Sequence, residues 1–221
     1  MLKTISENDW IKFINQSINN SIYHHPVFLN VFKKEFDYKC FFKGNVPIVG
    51  IPLIKDQNNS PLRFQGYNGF LYSNREKTKK QKVITSNFRA FEEYANFFYE
   101  NYKILNIVCD DTLIDTRPFI WHNYPKSQFK IEEYYTSKIL LDDFSKDTIS
   151  ESRRQEINKS LKYELKIEVS DDCKLAAKFF MKTVNENSLV DDEKIYFNVM
   201  KSLLKENMGK LLSCSIKNEV I

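Results

Sequence analysis

Two stretches of this chain, residues 6–54 and residues 171–221, spell out the same order of elements: helix, helix, strand, turn, strand. A repeated order constrains the fold strongly, because each copy has similar apolar faces to bury. In the first copy Ser6 offers an N-cap and Asp9 an acidic first turn. Trp10, Phe13, Ile14 and Ile18 then recur at helical spacing, which predicts a helix from Glu7 to Asn19. Residues Ser21 to His25 break it. Pro26 suits the first turn of a second helix, whose broad apolar face is Val27, Phe28, Val31, Phe32 and Phe36. Tyr38–Lys43 and Val46–Ile54 are strand-like runs around Gly44-Asn45, a dipeptide that tolerates the positive φ of a tight hairpin turn. In the second copy Asp171 or Asp172 caps a helix with Leu175, Ala176, Phe179, Phe180 and Val184 inward. The next helix starts near Asp192, carries Ile195, Tyr196, Val199, Leu203 and Leu204, and is stopped by Asn207-Met208-Gly209. Leu211–Ile216 is then a strand, Lys217 to Glu219 a turn, and Val220-Ile221 the start of another strand.

Beyond the hairpin the copies differ. After Ile54 the chain continues through an aromatic segment, Leu62 to Tyr72, in which the Gly66-x-x-Gly69 spacing lets backbone approach a ligand, or else forms a bulged edge strand with Tyr67 and Phe70 inward. It lacks the third glycine or trailing Lys-Ser/Thr of a nucleotide fingerprint. The basic stretch Arg75–Lys82 is expected to be a solvated turn. Ser86 caps a helix striped with Phe88, Phe91, Tyr94, Ala95, Phe98 and Tyr102, Ile104–Cys109 is a strand, and Gln128–Leu141 alternates like one or two strands. Arg117 to Pro125 is irregular or briefly helical. The second copy reaches only an apolar strand start, so the expectation is a first domain at 1–143 and an incomplete second domain at 144–221. Such a chain would be a truncated form lacking on the order of one hundred residues, a usual domain size.

Between the copies lies Ser152–Val169, SRRQEINKSLKYELKIEV. Arg153, Arg154, Lys159 and Lys162 surround Ile157 and Leu161 on a helix that runs into a half-buried strand, Leu165, Ile167, Val169. This basic helix is either a solvated face or a clamp for phosphates.

Composition narrows the classes. With 221 residues, 42% apolar and 14% aromatic, the chain can bury a real core and is not disordered. Its +4 net charge is too small to argue for a polyanion partner. Cys40, Cys109, Cys173 and Cys214 are scattered, with no CxxC pair and no Cys/His cluster, so buried thiols in a reduced compartment are expected and no metal is. His24 and His25 point to opposite sides and suit a turn and cap, with a substrate contact as the other reading; His122 is the remaining histidine. Asp110-Asp111, Asp142-Asp143, Asp171-Asp172 and Asp191-Asp192 fit turns and caps. Asp110, Asp111 and Glu133 are candidate general bases only as carboxylates near strand ends. No apolar run approaches the ~18 residues of a membrane span, and a cytoplasmic location is expected.

Taken together, SIYHHPVFLNVFKKEF, the hairpin ending in VGIPLI, GYNGFLYS, RRQEINKSLKYELKIEV and IYFNVMKSLLKENMGKLLSCSIKNEVI resemble the FemAB-like acyltransferases, which carry two GNAT-fold halves in tandem. The family's second half opens with Arg, Ile three on, Lys-Ala, a further basic residue and Gly. Arg154, Ile157, Lys159 and Lys162 match, whereas Ser160 replaces the Ala and Glu164 the Gly. Tyr67-Asn68-Gly69 looks like the family's Tyr-Gly-Gly loop with Asn68 for a glycine, and Tyr196-Phe197 like its Tyr-Phe pair.

The resemblance implies an α/β (α+β) fold, a GNAT-like mixed sheet flanked by helices, duplicated in tandem with an incomplete second copy. It implies transfer of an acyl or aminoacyl group from acyl-CoA or aminoacyl-tRNA to an amine on a small molecule or glycan precursor, as in bacterial cell-envelope or surface-glycan synthesis. The donor's phosphates would meet Arg153, Arg154, Lys159 and Lys162, and the acceptor groove would hold Tyr67, Asn68, Gly69, Tyr196 and Phe197. The Gly-rich loop that cradles the CoA pyrophosphate in GNAT enzymes has no counterpart after Gly69 except Gly209, so it is expected beyond Ile221 if it exists. Two other readings stand beside this one: a non-catalytic binding domain or inactive fragment retaining the acceptor groove, and a nucleic-acid-binding protein.

Overall fold

A computed structural model describes residues 1–55, 66–136, 142, 144–163, 165–183, 193–216 and 219–220. The hairpin is the centre of the first unit. β2 (Phe36–Lys43) and β3 (Val46–Ile54) pair antiparallel through a turn in which Gly44 takes φ 62°. β1 (Leu2–Ile5) adds antiparallel to the outer edge of β2, from Leu2↔Phe41 to Ile5↔Tyr38, and β4 (Leu71–Tyr72) pairs with β3 at Val49 and Gly50. The sheet order is therefore β1-β2-β3-β4, and β1 is a strand the periodicity did not mark.

Alternation on the strands makes two buried faces. On one, Phe41, Val49, Ile51, Leu53 and Tyr72 pack against Phe91, Tyr94, Ala95 and Phe98 of α3 (Lys80–Asn101). The Tyr94 hydroxyl lies 2.9 Å from the Lys39 carbonyl oxygen and 3.1 Å from that of Val49 and shares its proton between them. On the other face Tyr38, Cys40 and Leu71 meet Trp10, Phe13 and Ile14 of α1 (Glu7–Asn15) and Phe28 and Leu29 of α2 (Pro26–Leu29). A Cβ on Gly50 would stand 2.7 Å from the Phe13 ring and 2.8 Å from that of Trp10, so a glycine lets α1 lie directly on the sheet.

Several expectations fail for identifiable reasons. α1 begins as expected, with Ser6 Oγ accepting from the Asp9 N–H at 3.2 Å, but stops at Asn15 rather than Asn19. Ser17 bridges Ser73 and the Ile18 N–H donates to the Tyr72 carbonyl at 2.9 Å, which leaves Ile18 59% exposed. The second helix is a single α-turn followed by a 3₁₀ turn, Asn30–Phe32, ended by Lys33 at φ 52°, and Phe36 opens β2 instead. α3 starts at Lys80, so Ser86 is not its cap but a buried residue two turns in, donating to the Val83 carbonyl at 2.9 Å. Part of the basic run expected as a solvated turn is thus the first turn of a helix. Ile104–Cys109 is not a strand, nor are residues 128–136; 137–141 and 56–65 lie outside the described residues. Arg117–Trp121 forms the short helix α4.

The second unit comprises α5 (Glu151–Ser160), β5 (Leu165–Ser170), α6 (Cys173–Thr183), α7 (Glu193–Lys205), β6 (Leu211–Ile216) and β7 (Glu219–Val220). Asp172 Oδ1 accepts from the Leu175 N–H at 2.9 Å, and Asn207 ends α7 at φ 55°, as the sequence predicts. β5-β6-β7 pair antiparallel in that order, so β5-α6-α7-β6-β7 has the element order and pairing of β1-α1-α2-β2-β3. Both sheets are antiparallel throughout, and the class is α+β; the parallel pairing of a mixed sheet is not among the described strands. The units touch through α7, whose Val199, with Ile195 and Leu203, joins the cluster around Trp10 and Phe28.

One expectation about β5 is overturned. The register puts Leu165, Ile167, Val169, Leu212, Cys214 and Ile216 on one apolar face, yet Ile167, Val169 and Leu212 are 63 to 70% exposed. The strand alternates, but among the described residues the face is left open at Ile167, Val169 and Leu212, while Leu165, Cys214 and Ile216 at its other end are partly covered. Glu164, Val184, Asp191, Asp192, Lys217, Asn218 and Ile221 lie outside the described residues. No described helix is long and apolar enough to cross a membrane.

Candidate functional site

The basic helix is placed in solvent. α5 buries no residue, and its two apolar positions, Ile157 and Leu161, are 40% and 72% exposed, so the expected apolar stripe is not packed into a core among the described residues. Arg153 Nη1 pairs with Glu156 Oε2 at 2.6 Å, Arg154 Nη1 with Asp147 Oδ1 at 4.0 Å, and Lys159 and Lys162 are exposed. Such exposed pairs contribute little and are readily exchanged for another anion.

The acceptor-side residues fall in two places. Tyr67 is exposed, while Asn68 is half-buried and acts as a stand-in for a strand neighbour: its Oδ1 accepts from the Val108 N–H at 2.8 Å and its Nδ2 donates to the Asn106 carbonyl at 3.5 Å. A side-chain amide supplies a donor and an acceptor in the way a peptide does. In this way Asn106 and Val108 are held beside this loop without pairing as a strand. Gly69 is required by close approach, since a Cβ there would lie 2.5 Å from Cys109 Sγ. Tyr196, by contrast, is buried on α7 with its ring centroid 4.2 Å from that of Phe180, and Phe197 lies under the Lys201 ammonium. No described contact joins these two to Tyr67–Gly69. The apolar cleft beside Asn68, between Ile51–Ile54 and Ile104–Ile107, has about 30 Å³ of room among the described residues, enough for a water.

The most connected polar site centres on Asn19, which the sequence did not mark, beside His24 and Asp110, which it did. The Asn19 Nδ2 has the Phe70 carbonyl at 2.8 Å, Thr112 Oγ1 at 3.0 Å and Asp110 Oδ2 at 3.1 Å and shares its two protons among these three acceptors, while its Oδ1 accepts from the Tyr72 N–H at 3.0 Å. Asp110 also accepts from the Thr112 N–H at 3.0 Å and from its hydroxyl, the Asx turn the sequence suggests. His24, 2% exposed, spans Ser21 Oγ at 2.9 Å on Nδ1 and the Gly69 carbonyl at 3.0 Å on Nε2. A carbonyl only accepts, so Nε2 carries the proton and Nδ1 accepts from Ser21. His25 caps α2, its Nδ1 accepting from the Val27 N–H at 3.3 Å, so the turn-and-cap reading of the pair holds.

Cys109, His24 and Asp110 share this neighbourhood but do not make a nucleophilic centre. Burial pushes the Cys109 thiol up to about 11, away from the thiolate that would attack. The His24 ring has both nitrogens occupied. The cluster is a clasp joining residues 19–24, 69–72 and 109–112. Burial holds the His24 imidazole below its ordinary value, against the opposing pull of the Gly69 carbonyl and the Asp110 charge. Its folded pKa is therefore below its unfolded value of about 6.5, and the unfolded chain binds the proton first as pH falls. The stability it contributes is present above about pH 6.5 and is lost as pH falls towards the depressed value, at no more than about 1.4 kcal/mol per pH unit. Urea denaturation from pH 7.5 to 5 should show this slope, reinforced by His25, whose pKa burial also lowers, and His24→Gln should flatten it. An unchanged slope in that variant would remove His24 as its source.

Among the described residues no three His, Cys, Asp or Glu side chains gather as a metal site. Asp111 and Glu133, the other two candidate bases, are exposed to solvent. The fold and site together define an α+β protein of two similarly ordered units with a solvated basic helix and a partly buried polar clasp. No family model, curated protein or solved structure matches the chain.

Proposed function

We propose that the chain is an N-acyltransferase of FemAB-like architecture, moving an acyl or aminoacyl group from acyl-CoA or aminoacyl-tRNA to an amine acceptor in envelope or surface-glycan synthesis. The observation that carries the reading is the strand-helix-helix-strand-strand unit that occurs twice with one pairing order, as a tandem duplication would leave it. The reaction asks the protein for positioning and charge stabilisation: the amine lone pair attacks the donor carbonyl, an oxyanion develops, and the thiolate or ribose oxygen departs. Arg153, Arg154, Lys159 and Lys162 stand in solvent, where a donor's phosphates can replace Glu156 and Asp147. Tyr67, Asn68 and Gly69 belong to the acceptor side in this reading.

A second reading, a non-catalytic binding domain, is favoured by one observation: Tyr196 is buried against Phe180 and does not line an open groove. Thermal denaturation with acyl-CoA and with aminoacyl-tRNA, paired with a transfer assay on amine acceptors, separates the two. A true donor at 100 Kd adds about 2.7 kcal/mol, a rise of roughly 5–10 °C for a chain of this size. Changing Arg153, Arg154, Lys159 and Lys162 together to glutamine should abolish the rise. Stabilisation without transfer supports the binding domain, and no shift with either donor sinks the acyltransferase.

A further inference from the structure

A groove of about 450 Å³ runs between the first turns of α3 and the end of the β2–β3 hairpin, lined by Phe41, Phe42 and Lys43 on one side and Gln81, Lys82, Thr85, Ser86 and Arg89 on the other. The helical residues recur at the spacing of one face, so a single stripe of α3 forms that wall. Its charge is of one sign. Lys43, Lys82 and Arg89 make no ion pair among the described residues, and no carboxylate lines the groove. Glu93, one turn beyond Arg89, is taken by the Met1 ammonium at 3.4 Å. Behind the wall Arg75 donates from Nη1 to Ser86 Oγ at 2.7 Å and from Nη2 to Asn87 Oδ1, and its buried Nε has no partner among the described residues.

The helix end adds to this charge. α3 starts at Lys80 with no side-chain cap from Lys79, and the Lys80 and Gln81 N–H groups have no partner among the described residues. Uncapped amides at the start of a 22-residue helix carry the positive end of its dipole. The hydroxyl protons of Thr85 and Ser86 are spent on the helix itself, Thr85 donating to the Gln81 carbonyl at 2.9 Å and Ser86 to that of Val83, so the cations and the first amides are the donors this wall offers.

Like charges held together without a counter-charge repel, and an anion relieves them. Lys82 and Arg89 are seven residues apart on one helix face, about 10 Å along the axis. A lone phosphate, some ~3 Å across by its bond lengths, meets one of these cations at a time, whereas a diphosphate reaches towards both with Lys43 opposite. Phe41 and Phe42 give the hairpin end of the groove an apolar wall; the Phe42 ring already carries the Lys3 ammonium at 5.3 Å from its centroid. From these features we infer that the groove binds the diphosphate group of a small ligand, either a nucleoside or sugar diphosphate or inorganic pyrophosphate. The site lies wholly in the first unit and stands independently of acyl transfer at α5.

The test is an amide-resolved NMR titration of the whole chain with inorganic phosphate, pyrophosphate and a nucleoside diphosphate, each at matched ionic strength. Saturable shifts at Gln81, Lys82 and Thr85 are expected with both diphosphates, and binding about tenfold weaker with inorganic phosphate. Tighter binding of the nucleoside diphosphate identifies an ester as the ligand, and equal binding identifies pyrophosphate itself. Joint Lys82→Ala and Arg89→Ala substitution should weaken the diphosphates by about a hundredfold, one charge-assisted contact each. Both side chains are exposed, so folding should survive. Lys43→Glu, on the opposite wall, is the second variant and should weaken binding on its own, while Lys12→Ala on α1 should leave it unchanged. Non-saturating shifts, inorganic phosphate binding as well as the diphosphates, or equal losses in the Lys12 variant would each overturn the assignment.

Discussion

Trp10→Ala is expected to destabilise the chain by about 4 kcal/mol, in the range for deleting a buried large aromatic side chain. Trp10 is fully buried between α1 and the sheet, stacked on Tyr38 at 5.2 Å and tilted against Phe13 at 5.6 Å. The space it leaves is not readily refilled, because the strand position beneath it is Gly50, which has no side chain to move in. The indole Nε1 also donates to the His24 carbonyl at 2.9 Å, so the variant leaves a buried acceptor bare at the start of α2. Trp10→Phe separates the contributions: it keeps an aromatic ring on Tyr38 and loses the donor, and should cost about half as much. Against a total stability of about 5–15 kcal/mol, the alanine variant should lose a large part of its urea midpoint with little change in slope. A loss under about 1 kcal/mol would mean that α1 does not seat on the sheet through this residue.

What the sequence revealed and what it hid divide along the range of the interactions. The β2–β3 hairpin was legible because Gly44-Asn45 and the flanking alternation are local, and so were the Asp172 cap and the Asn207 stop. β1 was not, because Leu2–Ile5 is four residues long and is a strand only by virtue of Phe41 and Tyr38 beside it. Ile104–Cys109 has the composition of a buried strand, but β4 pairs with β3 only at Val49 and Gly50, and the Asn68 amide takes the place of a neighbouring backbone. Ile167 and Val169 show the converse. Alternation fixes which face a side chain occupies, not whether another element covers it. The clasp was the least legible part, since Asn19, His24, Gly69 and Asp110 meet only after the chain has closed loops of some 45 to 91 residues. Its local traces were the His24-His25 turn and the Asp110 Asx turn, each visible in the sequence, neither linked to the other. The basic helix is where the sequence pattern put it, but its solvated character is a property of what does not pack there.

Asn19 is the residue on which the clasp closes, and two substitutions there should behave in opposite ways with pH. Asn19→Ala removes both the donor to the Phe70 carbonyl and the acceptor for the Tyr72 N–H, leaving partly buried groups unpaired at the β3–β4 junction. A cost of about 3 kcal/mol is expected, of similar size at pH 4.5 and pH 7.5, since no charge is introduced. Asn19→Asp is nearly isosteric but sets a carboxylate where the amide donor stood, 2.8 Å from the Phe70 carbonyl and 3.1 Å from Asp110 Oδ2. Two carboxylates at that distance disfavour double ionisation, so the pair binds a proton more tightly folded than unfolded. The folded pKa then lies above the ordinary carboxylate value of about 4, and stability falls as pH rises through that window. The deficit of Asn19→Asp relative to the parent chain should therefore be larger at pH 7.5 than at pH 4.5 in urea denaturation. A second carboxylate beside Asp110 also pulls the His24 value up, as Asp110 does, which lessens the acid loss in the variant and acts in the same direction. An equal deficit at both pH values would show that the Asn19 side chain does not face Asp110, and the clasp would have to be abandoned.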